Sequence, residues 1–103
     1  MPPLTYSQRW TEDRRLVILR VLRDAPDYTA NSSILRGLLE EIGHRASRDV
    51  IAGDVDWLAE QGLVTVADLA VPGLRMITLT QRGDDVAGGA TVLSGVARPS
   101  PSA

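Results

Sequence analysis

The sequence predicts a small α+β domain in which three helices precede an antiparallel hairpin and a short last helix. Two observations predict this class. Apolar residues repeat with the period of a helix as far as Gly62 and with the period of a strand after it. Residues that cap helices or form turns stand at the expected boundaries. The chain has 103 residues, a length that suits one domain with a single core.

The first helix is predicted to follow a loose N-terminal arm, residues 1–10, which holds two prolines. Thr11 is the expected cap, because two acidic residues follow it at the positive end of the helix dipole. Pro26 ends the helix, since it restricts the residue before it and donates no backbone hydrogen bond. Helical spacing predicts a buried stripe formed by Val17, Ile18, Val21 and Leu22.

The opposite side of this helix is predicted to carry Leu16, with Arg20 and Arg23 four and seven residues later. An outward leucine between arginines is either a scattered surface residue or the edge of a contact between two copies of the chain. These three residues therefore form the predicted homodimer face.

Two further helices are joined by a short connection, as a helix-turn-helix requires. Asn31 caps the second helix, residues 32–42, and Gly43 ends it in the left-handed conformation. Ser47 caps the third helix, which Gly62 ends.

The hairpin is predicted from two runs of alternating residues, 63–69 and 74–80, with a Pro-Gly turn between them. Residues 27–30 would add at most a stub of strand before the second helix. Thr80 caps the short last helix, residues 81–87.

The domain organisation is that of one folded unit, residues 11–89, between a flexible arm and a flexible tail. The tail, residues 90–103, consists of small residues and prolines that bury too little apolar surface to offset their ordering entropy. No apolar run approaches the roughly 20 residues that span a bilayer, and the start is unlike a signal peptide. The expected location is the cytoplasm.

The composition argues against an enzyme. The chain contains no cysteine and a single histidine, His44, which is expected to be a solvated loop residue. Disulfides, thiolate metal sites and cysteine nucleophiles are therefore excluded, and no zinc site or nucleophile–base pair can be assembled. We expect a protein that is not an enzyme and needs no metal or cofactor.

The order of elements is that of winged helix-turn-helix domains, and several stretches resemble them. Residues 47–64 resemble the recognition helix and first wing strand, and residues 77–83 resemble the LTxxG exit from the wing of many bacterial winged-helix regulators. Small winged-helix proteins of Mu-like prophages, often labelled ArsR-like regulators, are similar in residues 12–15, 28–31 and 98–101. The resemblance implies an α+β winged helix-turn-helix fold with a two-stranded antiparallel wing. ArsR-type metal sensing requires Cys or His ligands that this chain lacks.

The resemblance also implies a DNA-binding surface, with the third helix in the major groove and the wing tip on the backbone. Arg48 either holds a phosphate or a guanine or pairs with a carboxylate. Arg75 either grips phosphate or a narrow minor groove or is a plain exposed strand residue. Ser47 is a helix cap whatever else it does. The residues assigned to this surface are Arg45, Ser47, Arg48, Val50, Ala52 and Arg75.

The charge of the chain leaves two functions open. The net charge is −2, and the third helix holds one arginine against four carboxylates. DNA-binding proteins usually present a basic patch instead. The resemblance predicts a phage or prophage transcriptional regulator that binds double-stranded DNA as a dimer. The acidic helix favours the alternative, a winged-helix adaptor that contacts a phage protein partner during assembly or DNA packaging.

Overall fold

The computed structural model describes residues 3–99 of the chain, which contain four α-helices, three β-strands and one short 3-10 helix, Pro26–Tyr28. The predicted α+β class is confirmed. In chain order the elements are α1 Tyr6–Asp24, β1 Thr29–Asn31, α2 Ser32–Glu41, α3 Arg48–Glu60, β2 Val64–Asp68, β3 Arg75–Leu79 and α4 Gln81–Ala87.

The first helix, α1, begins at Tyr6 rather than after Thr11. Thr5 is its cap: Thr5 Oγ1 accepts a hydrogen bond from the Gln8 amide at 3.1 Å, and Gln8 Oε1 accepts one from the Thr5 amide at 2.8 Å. This reciprocal capping box satisfies two amides at once, which a lone threonine cap cannot do. The prediction of an irregular arm is therefore wrong for residues 6–10.

The helix α1 lies against α2, α3, α4 and β3. Leu16 is only 3% exposed, so the prediction that it points outward is wrong. The prediction assumed that one side of the helix is covered, whereas α4 and the chain after it cover a second side. Val17 and Val21, predicted as part of the buried stripe, lie away from Leu16 and Leu19 on the helix and are only partly buried. The buried residues of α1 are Leu16, Ile18, Leu19 and Leu22.

The sheet has three antiparallel strands in the order β1-β3-β2, not two. Ile77 in the central strand β3 lies between Ala30 of β1 and Val66 of β2. A strand of three residues is too short to show a period, which is why β1 was predicted as a stub at most. We call β2, β3 and the residues that join them, 69–74, the wing, after the part of winged-helix domains that this stretch resembles in sequence.

The exit from β3 is fixed by Thr80, which caps α4 as predicted. Its Oγ1 accepts a hydrogen bond from the Gly83 amide at 3.0 Å and donates one to the Gly62 carbonyl at 2.7 Å. One hydroxyl thus ties the start of α4 to the end of α3.

The chain after α4 runs back along α1. The Ala97 amide donates to the Glu12 carbonyl at 3.1 Å, and Arg15 Nη1 donates to the Gly95 carbonyl at 3.1 Å. Val96 is 5% exposed. The packed part of the chain therefore extends past residue 89, the predicted end of the domain. Mobility of the tail stays a prediction, and its last residues, 100–103, lie outside the described residues.

Two helix glycines, Gly37 in α2 and Gly53 in α3, face open space. A Cβ at either position would meet no atom of another part of the chain within 4 Å. Alanine favours a helix interior over glycine, so Gly37→Ala and Gly53→Ala should each raise the free energy of unfolding by about 0.5–1 kcal/mol. Urea unfolding followed by circular dichroism measures the change. A lower free energy of unfolding in either variant would contradict these positions.

Candidate nucleic-acid interface

The connection between α2 and α3, residues 42–47, sets the start of α3. Ser47 caps that helix as predicted, because its Oγ accepts a hydrogen bond from the Val50 amide at 3.2 Å. Gly43 has a φ of +103°, the left-handed conformation predicted for the end of α2. With the cap and the turn fixed in this way, Arg48 and Val50 are exposed in the first turn of α3.

Three exposed arginines surround this connection, and we call Arg36, Arg45 and Arg48 the arginine cluster. Arg36 and Arg45 line one cavity of about 400 Å³, together with Glu40. Arg36 and Arg48 line a cleft of about 210 Å³ between α2, α3 and the tip of the wing. None of the three forms an ion pair with another residue in the described part of the chain. Their charges are available to an anionic partner.

The carboxylate of Asp54 does not belong to the outer surface of α3. Its side chain is 6% exposed, and its two oxygens accept hydrogen bonds from the Nε atoms of Arg14 and Arg15 on α1, the second at 3.1 Å. One of the four carboxylates of α3 is therefore neutralised by two arginines of α1. The count of sequence charges overstates the negative charge that α3 presents to solvent.

Arg75, the first residue of β3, reaches across to α3. Its Nη1 lies 2.6 Å from Asp56 Oδ1, and its Nη2 donates to the Ala52 carbonyl at 3.4 Å. It is therefore not a plain exposed strand residue, one of the two roles predicted for it, and the other role, a contact with DNA, stays a prediction. The ion pair neutralises Asp56 and leaves Asp49 and Glu60 as the α3 carboxylates without an ion pair among residues 3–99.

The residues assigned to the surface from sequence divide into two groups. Arg45, Ser47, Arg48 and Val50 come together as an exposed patch at the start of α3, and Val50 is 45% exposed. Ala52 is half-buried, with its carbonyl beside the Arg75 guanidinium. The structure thus groups four of the six at one end of α3.

Arg36 was missed in the sequence because it lies on α2, outside the helix that the resemblance assigns to the groove. One signal was available. Arg36 is the basic residue of α2 and is not among its periodic apolar positions, which indicates exposure. Its approach to Arg45 and Arg48 depends on how α2 packs against α3, which no local pattern reports.

His44 is buried, so the prediction of a solvated loop histidine is wrong. It is 5% exposed, its Nε2 lies 2.7 Å from Asp13 Oδ2, and its ring stands nearly perpendicular to the Trp10 ring, with the centroids 5.1 Å apart. The helix α1 begins at Tyr6, before the predicted start, and this earlier start places Trp10 against the imidazole. His44 thereby joins the end of α2 to α1.

The predicted homodimer face of Leu16, Arg20 and Arg23 is not assembled as one exposed surface. Leu16 is buried, and Arg23 Nε pairs with Asp84 Oδ1 of α4 at 2.9 Å. Arg20 alone of the three stays partly exposed without an ion pair among the described residues. A homodimer stays a prediction, through a surface other than this one.

Two further properties concern the described residues alone. No helix within residues 3–99 combines the length and the apolar content needed to cross a bilayer. The same residues contain no group of three or more His, Asp or Glu side chains arranged to hold a metal ion.

Comparisons with known proteins connect the chain to a bacteriophage. It matches none of the protein-family profiles with which it was compared. Protein gp26 of Escherichia phage Mu is 56% identical over 93 residues, which cover 90% of this chain and 94% of gp26. A protein of Haemophilus influenzae (strain Rd) is 42% identical over 79 residues, 77% of this chain and 76% of that protein. The names of these two relatives state no activity.

Proposed function

Since the chain belongs to the family of phage Mu protein gp26, we propose that it is a winged-helix protein that binds double-stranded DNA and regulates phage transcription. The order of its helices and its three-stranded sheet are compatible with a winged helix. Its sequence resemblance to regulators of Mu-like prophages supports the regulatory role. The similarity to gp26 supports a phage relationship, but the name of gp26 states no activity.

The observation that carries the proposal is the arginine cluster at the α2–α3 connection. Arg36, Arg45 and Arg48 are exposed and unpaired among the described residues, whereas Asp54 and Asp56 are neutralised by arginines from α1 and β3. Phosphate binding releases counterions in proportion to such free basic groups. The exposed carboxylates of Glu40 and Asp49 lie near the same end of α3, so the support for an anionic partner comes from three free guanidinium groups and not from a large net positive charge.

The shape of the same surface suits a duplex. The first turn of α3 is exposed, and the outer side of the helix continues through Gly53, where no side chain projects. A helix of this kind fits the major groove, which is about 12 Å wide. The cleft between Arg36, Arg48 and the wing tip then lies where the backbone of the duplex would pass.

Arginine-to-alanine variants test the proposal. Arg36→Ala, Arg45→Ala and Arg48→Ala should each weaken binding to a labelled duplex by about tenfold at low salt and reduce the salt slope by about one unit. Arg75→Ala should have a smaller effect, because its guanidinium is held by Asp56. The measurement is fluorescence anisotropy over a series of salt concentrations, with duplexes from the phage locus and from unrelated DNA.

Arg98→Ala is the matched control, since Arg98 is exposed in the segment after α4 and forms no ion pair among the described residues. It should leave affinity and salt slope unchanged. No binding of the wild type at low salt would refute the proposal. Binding that none of the three cluster variants weakens would refute the placement of the site.

The adaptor is the second candidate function, and exposed apolar residues favour it. Val50 at the start of α3 and Val71 in the wing are 45% and 60% exposed, and Val71 lines the same cleft as Arg48. Such residues suit a contact with a protein better than a contact with phosphates. The adaptor predicts negligible DNA binding at physiological salt with or without the arginines, so the same titration separates the two functions.

A further inference from the structure

The outward face of α1 carries four charged residues in alternating order: Arg9, Asp13, Arg20 and Asp24. Their spacings of four, seven and four keep them on one stripe of the helix. Arg9, Asp13 and Asp24 are exposed and Arg20 is partly exposed. The stripe lies on the side of α1 opposite Ile18 and Leu22, whereas the buried Leu16, four residues before Arg20, lies next to it on the side that α4 and the chain after it cover. We call these four residues the α1 charge stripe.

The charges of this stripe are not used in pairs along the helix. Arg9 and Asp13 stand four residues apart, as do Arg20 and Asp24, which is the spacing of intrahelical ion pairs. Neither of these two pairs of residues forms an ion pair within α1. Asp13 instead meets His44 at 2.7 Å, and the other three form no ion pair with any residue among 3–99.

The stripe is complementary to itself when the helix is reversed. From the N-terminus the charges read plus, minus, plus, minus, and from the C-terminus they read minus, plus, minus, plus. Two antiparallel copies of α1, related by a two-fold axis between residues 16 and 17, would place Arg9 opposite Asp24 of the second copy. They would also place Asp13 opposite Arg20 of the second copy. Two-fold symmetry repeats each pairing, so four pairs of opposite charge meet.

Apolar groups accompany these charges. Val17, which is partly buried, lies beside the axis of the pairing, and Trp10 at 41% exposure and Tyr6 at 76% exposure lie farther along the helix. A groove of about 660 Å³ runs beside the stripe and is lined by Leu4, Arg9 and residues 92–98. Aromatic rings with exposed apolar area are common in contacts between proteins.

From this complementarity we infer that the α1 charge stripe is a homodimer interface in which two copies of α1 pack antiparallel. The partner is a second copy of this chain. This face shares Arg20 with the face predicted from the sequence, but it leaves out Leu16 and Arg23, which are respectively buried and paired with α4. Opposite charges across an interface fix orientation and register more than they add affinity. The antiparallel arrangement is therefore set by the charges, and the apolar groups supply contact area.

Charge reversal and restoration test this interface by sedimentation equilibrium, over concentrations from micromolar to near millimolar. The wild type should associate to twice the monomer mass. Asp24→Arg and Arg9→Asp should each raise the dissociation constant by about tenfold or more, because each places like charges opposite one another twice. The double variant, Arg9→Asp with Asp24→Arg, should return the dissociation constant to near the wild-type value.

Asp68→Arg is the matched control, because it makes the same change of charge as Asp24→Arg on an exposed residue of the wing. It should leave the dissociation constant unchanged. A wild type that stays monomeric at the highest concentration overturns the inference. So does a dimer that the single reversals leave intact, or one that the double variant fails to restore. These results do not depend on DNA binding.

Discussion

Asp54→Ala is expected to lower the free energy of unfolding by about 3 kcal/mol, the low end for removing one partner of a buried ion pair. The carboxylate of Asp54 is 6% exposed and accepts hydrogen bonds from both Arg14 and Arg15. Without it, two adjacent guanidinium groups with side chains 12% and 18% exposed would face each other uncompensated. The low end applies because these side chains retain some contact with water.

The same substitution should loosen the segment after α4. Arg15 stacks over the ring of Trp57, with its Cζ 4.0 Å from the ring centroid, and donates to the Gly95 carbonyl. Release of Arg15 from Asp54 therefore weakens contacts on α3 and on the returning chain together.

Urea unfolding of Asp54→Ala beside Asp56→Ala measures the effect. Asp56 also pairs with an arginine, but its side chain is 59% exposed, so that variant should lose no more than about 1 kcal/mol. Equal losses in the two variants would mean that the α1–α3 pairing is no stronger than a surface ion pair.

Gly83→Ala should be comparably destabilising, by about 3 kcal/mol, because α4 packs too closely for a side chain at this position. A Cβ there would clash with the Leu63 carbonyl oxygen and would lie 2.6 Å from Leu79 Cδ1. The carbonyl cannot move freely, since it also accepts a hydrogen bond from the Thr80 amide at 3.1 Å. The helix itself would have to shift. The glycine of the LTxxG stretch is thus required by close approach.

The control for this prediction is Gly37→Ala, which makes the same chemical change in a helix with open space around it. Urea unfolding should give opposite signs, a loss for Gly83→Ala and a gain for Gly37→Ala. A Gly83→Ala variant as stable as the wild type would show that α4 lies farther from the end of α3 than described.

The candidate site illustrates how far local patterns reach. The resemblance to winged-helix domains assigned Arg45, Ser47 and Arg48 to the site, and the cap and period that place them at the start of a helix are visible within a few residues. The place of Arg36 in the site could not be predicted, because it depends on how α2 packs on α3. The ion pair of Arg75 could not be predicted, because its partner Asp56 is 19 residues away and the contact depends on how the wing folds back.

The sequence by itself determined the local structure of this protein. Asn31, Ser47 and Thr80 cap helices as predicted, and the change of period after Gly62 marks the hairpin. Each of these features depends on atoms three or four residues apart, or on one stripe of one element. The capping box at Thr5 is local in the same way, because Thr5 and Gln8 stand three residues apart, although the acidic residues after Thr11 predict the cap there.

The tertiary structure alone decided which surfaces exist. Three features depend on contacts between residues that lie far apart in the chain: the third strand, the burial of Leu16 and the ion pairs of Asp54. Arg14 and Asp54 are 40 residues apart, and Thr29 of β1 and Thr78 of β3 are 49 residues apart. A charge or a leucine has the same local pattern whether another element covers it or not. Whether α3 presents four carboxylates or two was therefore fixed by the arginines that α1 and β3 bring against it.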